Sequence, residues 1–454
     1  MTHSERTSEW HPASWRDKAA QQLPSYADEE ALQAALDRVA ALPPLVTSWE
    51  VKRLKQELGR AARGERFLLQ GGECAERFSE CTADIITSRL KIMLQMSLIL
   101  TYGLNTQVVR VGRFAGQYAK PRSSDTEIRN GTALPSYRGD IVNGSEFDPA
   151  TREPDPSRLV RAYLSSAATL NLVRGLSEGG FADLHHPEYW NLDFMQHSPL
   201  AEEYHAIADA IEDTLGFLDV LANRPLPNLQ RAKFYASHEA LHLPYEEALT
   251  RSVPHQTGIF NLGTHLPWIG KRTNQLSGAH VEYVRGIANP LGLKVGPNMT
   301  PAQLMQLIGA LDPDDEPGRL TLITRFGADQ VGDVLPPLIE AVQASGRTVL
   351  WCSDPMHGNT ERTASGRKTR RFANILSELE QVFDIHAKLG SRLGGVHFEM
   401  TGENVTECIG GARGINEQDL ERAYKSEVDP RLNYEQSLEV AFCIVRKYRM
   451  MNGR

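Results

Sequence analysis

Residues able to bind a divalent metal are spread across the sequence. Cys74, His357 and Glu399 each follow a short apolar run, and Asp429 sits in the late segment Val428-Asp429-Pro430-Arg431-Leu432-Asn433. A thiolate, an imidazole and carboxylates make a borderline donor set, suited to Mn2+, Co2+, Fe2+ or Zn2+ better than to Mg2+. Taken singly, each has a plainer reading. A cysteine after a strand usually packs in a core, and Asp before Pro usually makes a turn. A second group is cationic: Arg113, Lys120, Arg122, Arg272, Lys294 and Arg325. Arginine offers a planar fork to carboxylate or phosphate oxygens and lysine a compact charge, so several in one cleft imply a small substrate with more than one anionic group. Pairing with rim acids is the plainer reading, less so for Lys294 and Arg325, which directly follow apolar residues. The run Arg367-Lys368-Thr369-Arg370-Arg371 reads first as a solvated helix start and second as an extra phosphate contact.

These residues act together only if the elements carrying them converge. From Arg66 onward short apolar runs alternate with longer amphipathic stretches. The runs are Phe67–Leu69, Val108–Val111, Lys233–Ala236, Gly258–Phe260, Gly292–Val295, Leu320–Ile323, Thr348–Trp351 and Gly395–Phe398. Helical periodicity follows most of them, over Thr82–Thr101, Gly278–Ala288, Pro301–Leu311, Gly332–Ser345, Thr369–Leu389 and Tyr434–Met450. This alternation predicts an α/β chain folded as a (β/α)8 TIM barrel over 63–454, with an open doubly wound sheet as the alternative. In a barrel the carboxyl ends of all strands meet at one mouth, and a polar or ionisable residue stands near each predicted end. Residues 1–62 read as a helical extension, with helices over Asp28–Leu42 and Thr47–Arg63. A large insertion after the second strand, about 120–231, carries helical stretches near Ser157–Leu176 and Pro199–Leu221. Such insertions usually carry function or oligomer contacts.

The totals narrow the class. An apolar content of 41% in 454 residues supports a large core. A net charge of −8 argues against a general nucleic-acid binder, while leaving room for a cationic cleft. The 5 cysteines are scattered without a CxxC pair, so neither a disulfide framework nor a zinc ribbon is indicated. No apolar signal segment opens the chain and no run is long enough to span a membrane, so a cytoplasmic location is expected. No Walker motif and no GxGxxG after a strand supports nucleotide binding.

Longer motifs point further. LLQGGECAE, VGRFAGQYAKPRS, PSYRGDIVNG, WNLDF, SHEALHLPYE, ANPLGLKVGP, DPMHGNT, GGVHFEMTGENVTECIGG and DPRLN resemble the type II 3-deoxy-D-arabino-heptulosonate-7-phosphate (DAHP) synthases, in their long, plant-like and actinobacterial-like form. The resemblance runs over nearly the whole chain. It implies a metal-dependent barrel that condenses phosphoenolpyruvate with erythrose 4-phosphate, opening the shikimate pathway to aromatic amino acids. It implies Cys74, His357, Glu399 and Asp429 as metal ligands, with Mn2+ favoured. Arg113, Arg272, Lys294 and Arg325 would hold phosphoenolpyruvate, with the Lys271 backbone nearby. Lys120, Arg122 and Ser123 would meet the erythrose phosphate, and Trp268 would form a pocket wall. Lys294, Arg325 and His357 join Glu239 as catalytic candidates, Glu239 or a metal-held water handling the proton. The extension and insertion would serve a homo-oligomer and feedback by aromatic amino acids, with chorismate mutase as a further partner. The chain departs from the family pattern at Trp268-Ile269-Gly270-Lys271-Arg272-Thr273, where Lys271 replaces the usual Glu. Arg325-Phe326-Gly327 for Arg-Met-Gly and Val428 for Cys are further departures. The charge reversal at Lys271 keeps an aminoDAHP synthase or other secondary-metabolic paralogue as the alternative reading. A non-catalytic regulatory subunit is the third.

Overall fold

The computed structural model describes residues 10–182, 187–190, 200–210 and 232–451. At its centre the predicted barrel closes, with strands in the spatial order β1-β8-β7-β6-β5-β4-β3-β2. These are β1 (Arg66–Gly72), β2 (Gln107–Arg113), β3 (Phe234–Glu239), β4 (Leu266–Ile269), β5 (Leu291–Val295), β6 (Leu320–Thr324), β7 (Leu350–Ser353) and β8 (Leu393–Glu399). Every neighbouring pair is parallel. Strands covered on both faces are mostly apolar, and β4 to β8 are buried at every position.

One predicted strand is corrected. Ile259–Asn261 lies outside the barrel, in an antiparallel ladder with Thr250–Ser252. The fourth barrel strand is Leu266–Ile269, which sequence reasoning passes over because Pro267 cannot donate to a ladder. It is only a short strand, pairing through Ser237↔Leu266 on one side and Trp268↔Gly292 on the other. The shift places Trp268 inside a strand rather than beyond one.

The helices form around the barrel as α1 (Glu29–Ala41), α2 (Ser48–Ala62), α3 (Ala83–Leu104), α4 (Ser157–Glu178), α5 (Ala279–Gly286), α6 (Pro301–Leu311), α7 (Val331–Ser345), α8 (Phe372–Lys388) and α9 (Tyr434–Met451). Thr47 and Glu50 start α2 with a reciprocal capping box, and Thr300 and Gln303 do the same for α6. The extension packs on its own barrel. Leu54, Leu58 and Ala61 of α2 join Leu68, Val109, Tyr235 and Leu350 in one buried cluster, so α2 stoppers the barrel at the end opposite the strand carboxyl termini. Trp10 Nε1 donates to Glu282 O at 2.9 Å, and Ser14 Oγ to Glu282 Oε1 at 2.7 Å.

Within the insertion, α4 is tied back to the extension by Tyr163 Oη donating to Pro43 O and Arg174 pairing with Glu50. Residues 201–210 are helical as predicted; residues 199 and 211–221 of that stretch, and the WNLDF motif beyond Trp190, lie outside the described residues. Arg367–Arg371 is not a solvated helix start. Lys368–Arg370 is a strand paired with Thr360–Arg362, and Arg370 is fully buried. No described helix is long and apolar enough to cross a membrane.

Candidate active site and metal centre

β1 ends at Gly72, whose φ of 140° and close approach to Arg113 O leave no room for a side chain. The turn delivers Cys74 to the barrel mouth, where its Sγ lies 3.8 Å from Asp429 Oδ2. Ligand atoms of Cys74, Glu399 and Asp429 all lie within 4.8 Å of one another. His357 joins through Glu399, its Nε2 3.0 Å from Oε1, and stands outside the mutually close group. Asp354 Oδ2, 2.7 Å from His357 Nδ1, fixes the imidazole with Nε2 toward Glu399.

Glu399 is the junction of this network. Its Oε1 meets Arg113 Nη2 at 3.0 Å and Lys120 Nζ at 3.2 Å, and its Oε2 meets Arg370 Nη2 at 2.7 Å. Burial alone would raise its pKa, but His357, Lys120, Arg370 and Arg113 together hold it well below the carboxylate range. The Cys74 thiol goes the other way, pushed up to about 12 by burial and by Glu399. A bound divalent ion reverses that preference, since a coordinating thiol is deprotonated. The residues fit a metal on two grounds. The donors are of the borderline type, and a cation, the Lys120 ammonium, already stands among them as a stand-in ion.

Above these donors opens a cleft of about 580 Å³. Lys294 enters it from β5, ion-paired to Asp354 and with its pKa lowered to about 8 by burial, which Asp354 only partly offsets. Arg325 follows β6; its Nη2 donates to His357 O at 2.5 Å, while its buried Nε has no partner. Arg272 Nη2 donates to Ser123 Oγ at 2.8 Å, and Arg122 pairs with Glu127 at 2.7 Å. Lys271 lies against Gly296, where a Cβ would come within 2.7 Å of its Cδ. Burial, then Arg325 and Arg272, lower its pKa. Trp268 forms a wall, edge-on to His397 and 5.2 Å from the Arg113 guanidinium. Arg113 itself is spent on protein, donating to Glu73 O and Cys74 O as well as to Glu399. Glu239 ends β3 with a buried Oε1 that no group satisfies, and burial raises its pKa against the pull of Lys120, Lys294, Arg113 and His357.

Every sequence-predicted site residue therefore belongs to one connected region. Lys120 differs in placement: its ammonium sits among the metal donors rather than free in the cleft. Supports whose roles sequence reasoning did not assign are Arg370 on Glu399, Lys368 on Asp429, and Asp354 between Lys294 and His357. Arg431 was also missed; it spans Glu73 and Glu407 and thereby ties the Asp429 segment to the end of β1. A signal was present for two of these, since Lys368 and Arg370 alternate with the small Thr369 as strand residues do.

The sequence model of the class-II DAHP synthetase family matches residues 10–445. The chain belongs to that family. It is 49% identical to the phospho-2-dehydro-3-deoxyheptonate aldolase of Streptomyces coelicolor over 450 residues, covering 99% of this chain and 100% of the relative. To the Neurospora crassa protein of the same name it is 47% identical over 456 residues, covering 97% and 94%. Class-II membership agrees with the motif resemblance along the whole length, and with a metal-dependent barrel.

Proposed function

We propose that this barrel mouth condenses phosphoenolpyruvate with erythrose 4-phosphate to give DAHP and phosphate. The observation that carries the reading is the convergence of a metal-type donor group and a cation-lined cleft on one site. Cys74, His357, Glu399 and Asp429 would hold a divalent ion, Mn2+ being favoured. When bound, that ion supplies a Lewis acid that polarises the aldehyde oxygen.

The chain's own groups do the rest. Two phosphorylated substrates repel each other, so bringing carbon 3 of phosphoenolpyruvate against the aldehyde needs cations on both sides. Lys294, Arg325, Arg272, Lys271, Arg122 and Ser123 all line the cleft. Arg325 lines the cleft and offers its guanidinium to an incoming anion. As carbon 3 attacks, carbon 2 becomes electron-poor and takes a water. Glu239, whose carboxyl group lines the cleft, would accept that water's proton. The phosphate then leaves from carbon 2, its developing charge stabilised by Lys294 and Arg325. Trp268 keeps bulk water from that wall.

Consumption of phosphoenolpyruvate, followed with erythrose 4-phosphate after EDTA treatment and again after Mn2+ is restored, tests the assignment. Turnover that disappears with EDTA and returns with Mn2+ is expected. Absence of turnover with metal restored counts against it.

A further inference from the structure

Three acceptors, Cys74 Sγ at 2.9 Å, Asp429 Oδ2 at 3.0 Å and Glu399 Oε1 at 3.2 Å, surround Lys120 Nζ. An ammonium has three N–H donors, so this cage satisfies it. The same atoms would bind a divalent ion at about 2.0–2.3 Å. An ion seated that close to three atoms which already ring the ammonium would overlap Lys120 and meet its charge in a poorly screened site. The two cations exclude each other.

Resting on the metal reading above, we propose that Lys120 is a tethered competitor for the metal: its ammonium neutralises the metal-free donors, and metal entry displaces it into the substrate cleft, where it becomes an added anion-binding group. The surroundings set that direction. Arg370 already holds the second oxygen of Glu399, and Lys368 the second oxygen of Asp429, so neither carboxylate offers another berth. The Lys120 backbone is pinned by its N–H to Arg138 O at 2.9 Å, which leaves the flexible stem as the moving part. Lys120 lines the cleft that Arg113, Lys294 and Glu239 also line, so rotation of that stem carries the charge toward substrate. Metal and anion binding are then coupled, and by linkage each must tighten the other equally.

The test uses the full-length protein in EDTA and saturated with Co2+, with metal uptake followed by thiolate-to-cobalt absorption. Acetylation by an amine-directed reagent is read at each lysine by peptide mass spectrometry. Lys120 should acetylate faster with Co2+, while exposed Lys388 stays unchanged. Lys120→Met should bind Co2+ more tightly than wild type. Sulfate should tighten Co2+ binding in wild type and lose that effect in Lys120→Met, which separates displacement from simple removal of a repelling charge. Saturation by Co2+ with Lys120 acetylation unchanged overturns the displacement while leaving the metal site standing. Failure of the wild type to take up Co2+ through Cys74 overturns the metal reading, and the displacement with it.

Discussion

Glu399 shows how much chemistry one carboxylate can organise when both its oxygens are used. One oxygen faces the candidate metal donors, Lys120 and Arg113; the other is held by Arg370. Replacing it by Ala would strand two buried guanidinium groups, a loss of about 3–5 kcal/mol, so Glu399→Gln is the cleaner probe. Glu399→Gln is expected to fold, to lose stoichiometric Mn2+ by elemental analysis, and to lose turnover. Full metal content with wild-type turnover would remove Glu399 from the site. Glu239 differs, because no group satisfies its Oε1, and the role proposed for it is in the reaction. Glu239→Gln is expected to lower kcat by about 10²- to 10⁴-fold with the KM for phosphoenolpyruvate nearly unchanged, checked by steady-state kinetics. A rise in KM at constant kcat would instead make it a binding residue.

The mouth is positioned by elements that never touch it. Glu378 on α8 accepts from Phe326 N at 2.9 Å and from Asn359 Nδ2 at 2.7 Å, bracing the loops that follow Arg325 and His357. Burial raises its pKa from 4.5 to about 7, against the hydrogen bonds from Phe326, Gly327 and Asn359. A raised acid binds its proton more tightly in the folded state. Its contribution is therefore complete below the ordinary value of 4.5 and is lost as pH rises through about 7. Glu378→Gln is expected to flatten the fall of Tm over that window, measured by thermal denaturation across pH; an unchanged slope would assign the titration elsewhere. At the opposite end, α2 seals the barrel with fully buried Leu58. Leu58→Ala is expected to cost about 2–5 kcal/mol in denaturant unfolding, as a core truncation does, whereas a loosely docked extension would lose almost nothing.

Over the molecule as a whole the charge is −8, yet the cleft is lined by Arg122, Lys271, Arg272, Lys294 and Arg325. A local positive field inside a net-negative protein draws anions to one place and leaves the rest of the surface unattractive to them. Raising ionic strength from low salt is expected to lower kcat/KM for the phosphorylated substrates, with most of the change in KM, because salt screens the rim cations more than the buried ones. A salt-independent kcat/KM would confine the electrostatic contribution to the buried Lys294 and the half-buried Arg325.

The alternation of apolar runs and helical periods made the barrel legible before any coordinates, because strand and helix repeats are local properties of the chain. The same pattern placed Cys74, Glu239, Lys294, Arg325, His357 and Glu399 near strand ends, and so near one mouth. It failed at Leu266–Ile269, where burial and parallel pairing on both sides outweigh the strand-breaking preference of Pro267. It also misread Arg370, since a run of cations looks solvated until a buried carboxylate is found opposite it. Residue types and their order along the chain specify which elements form and what chemistry their ends can carry. Which cation pairs with which anion, and that Lys120 stands among the candidate metal donors instead of free in the cleft, depend on distances between residues tens to hundreds of positions apart. Those distances exist only once the barrel has closed.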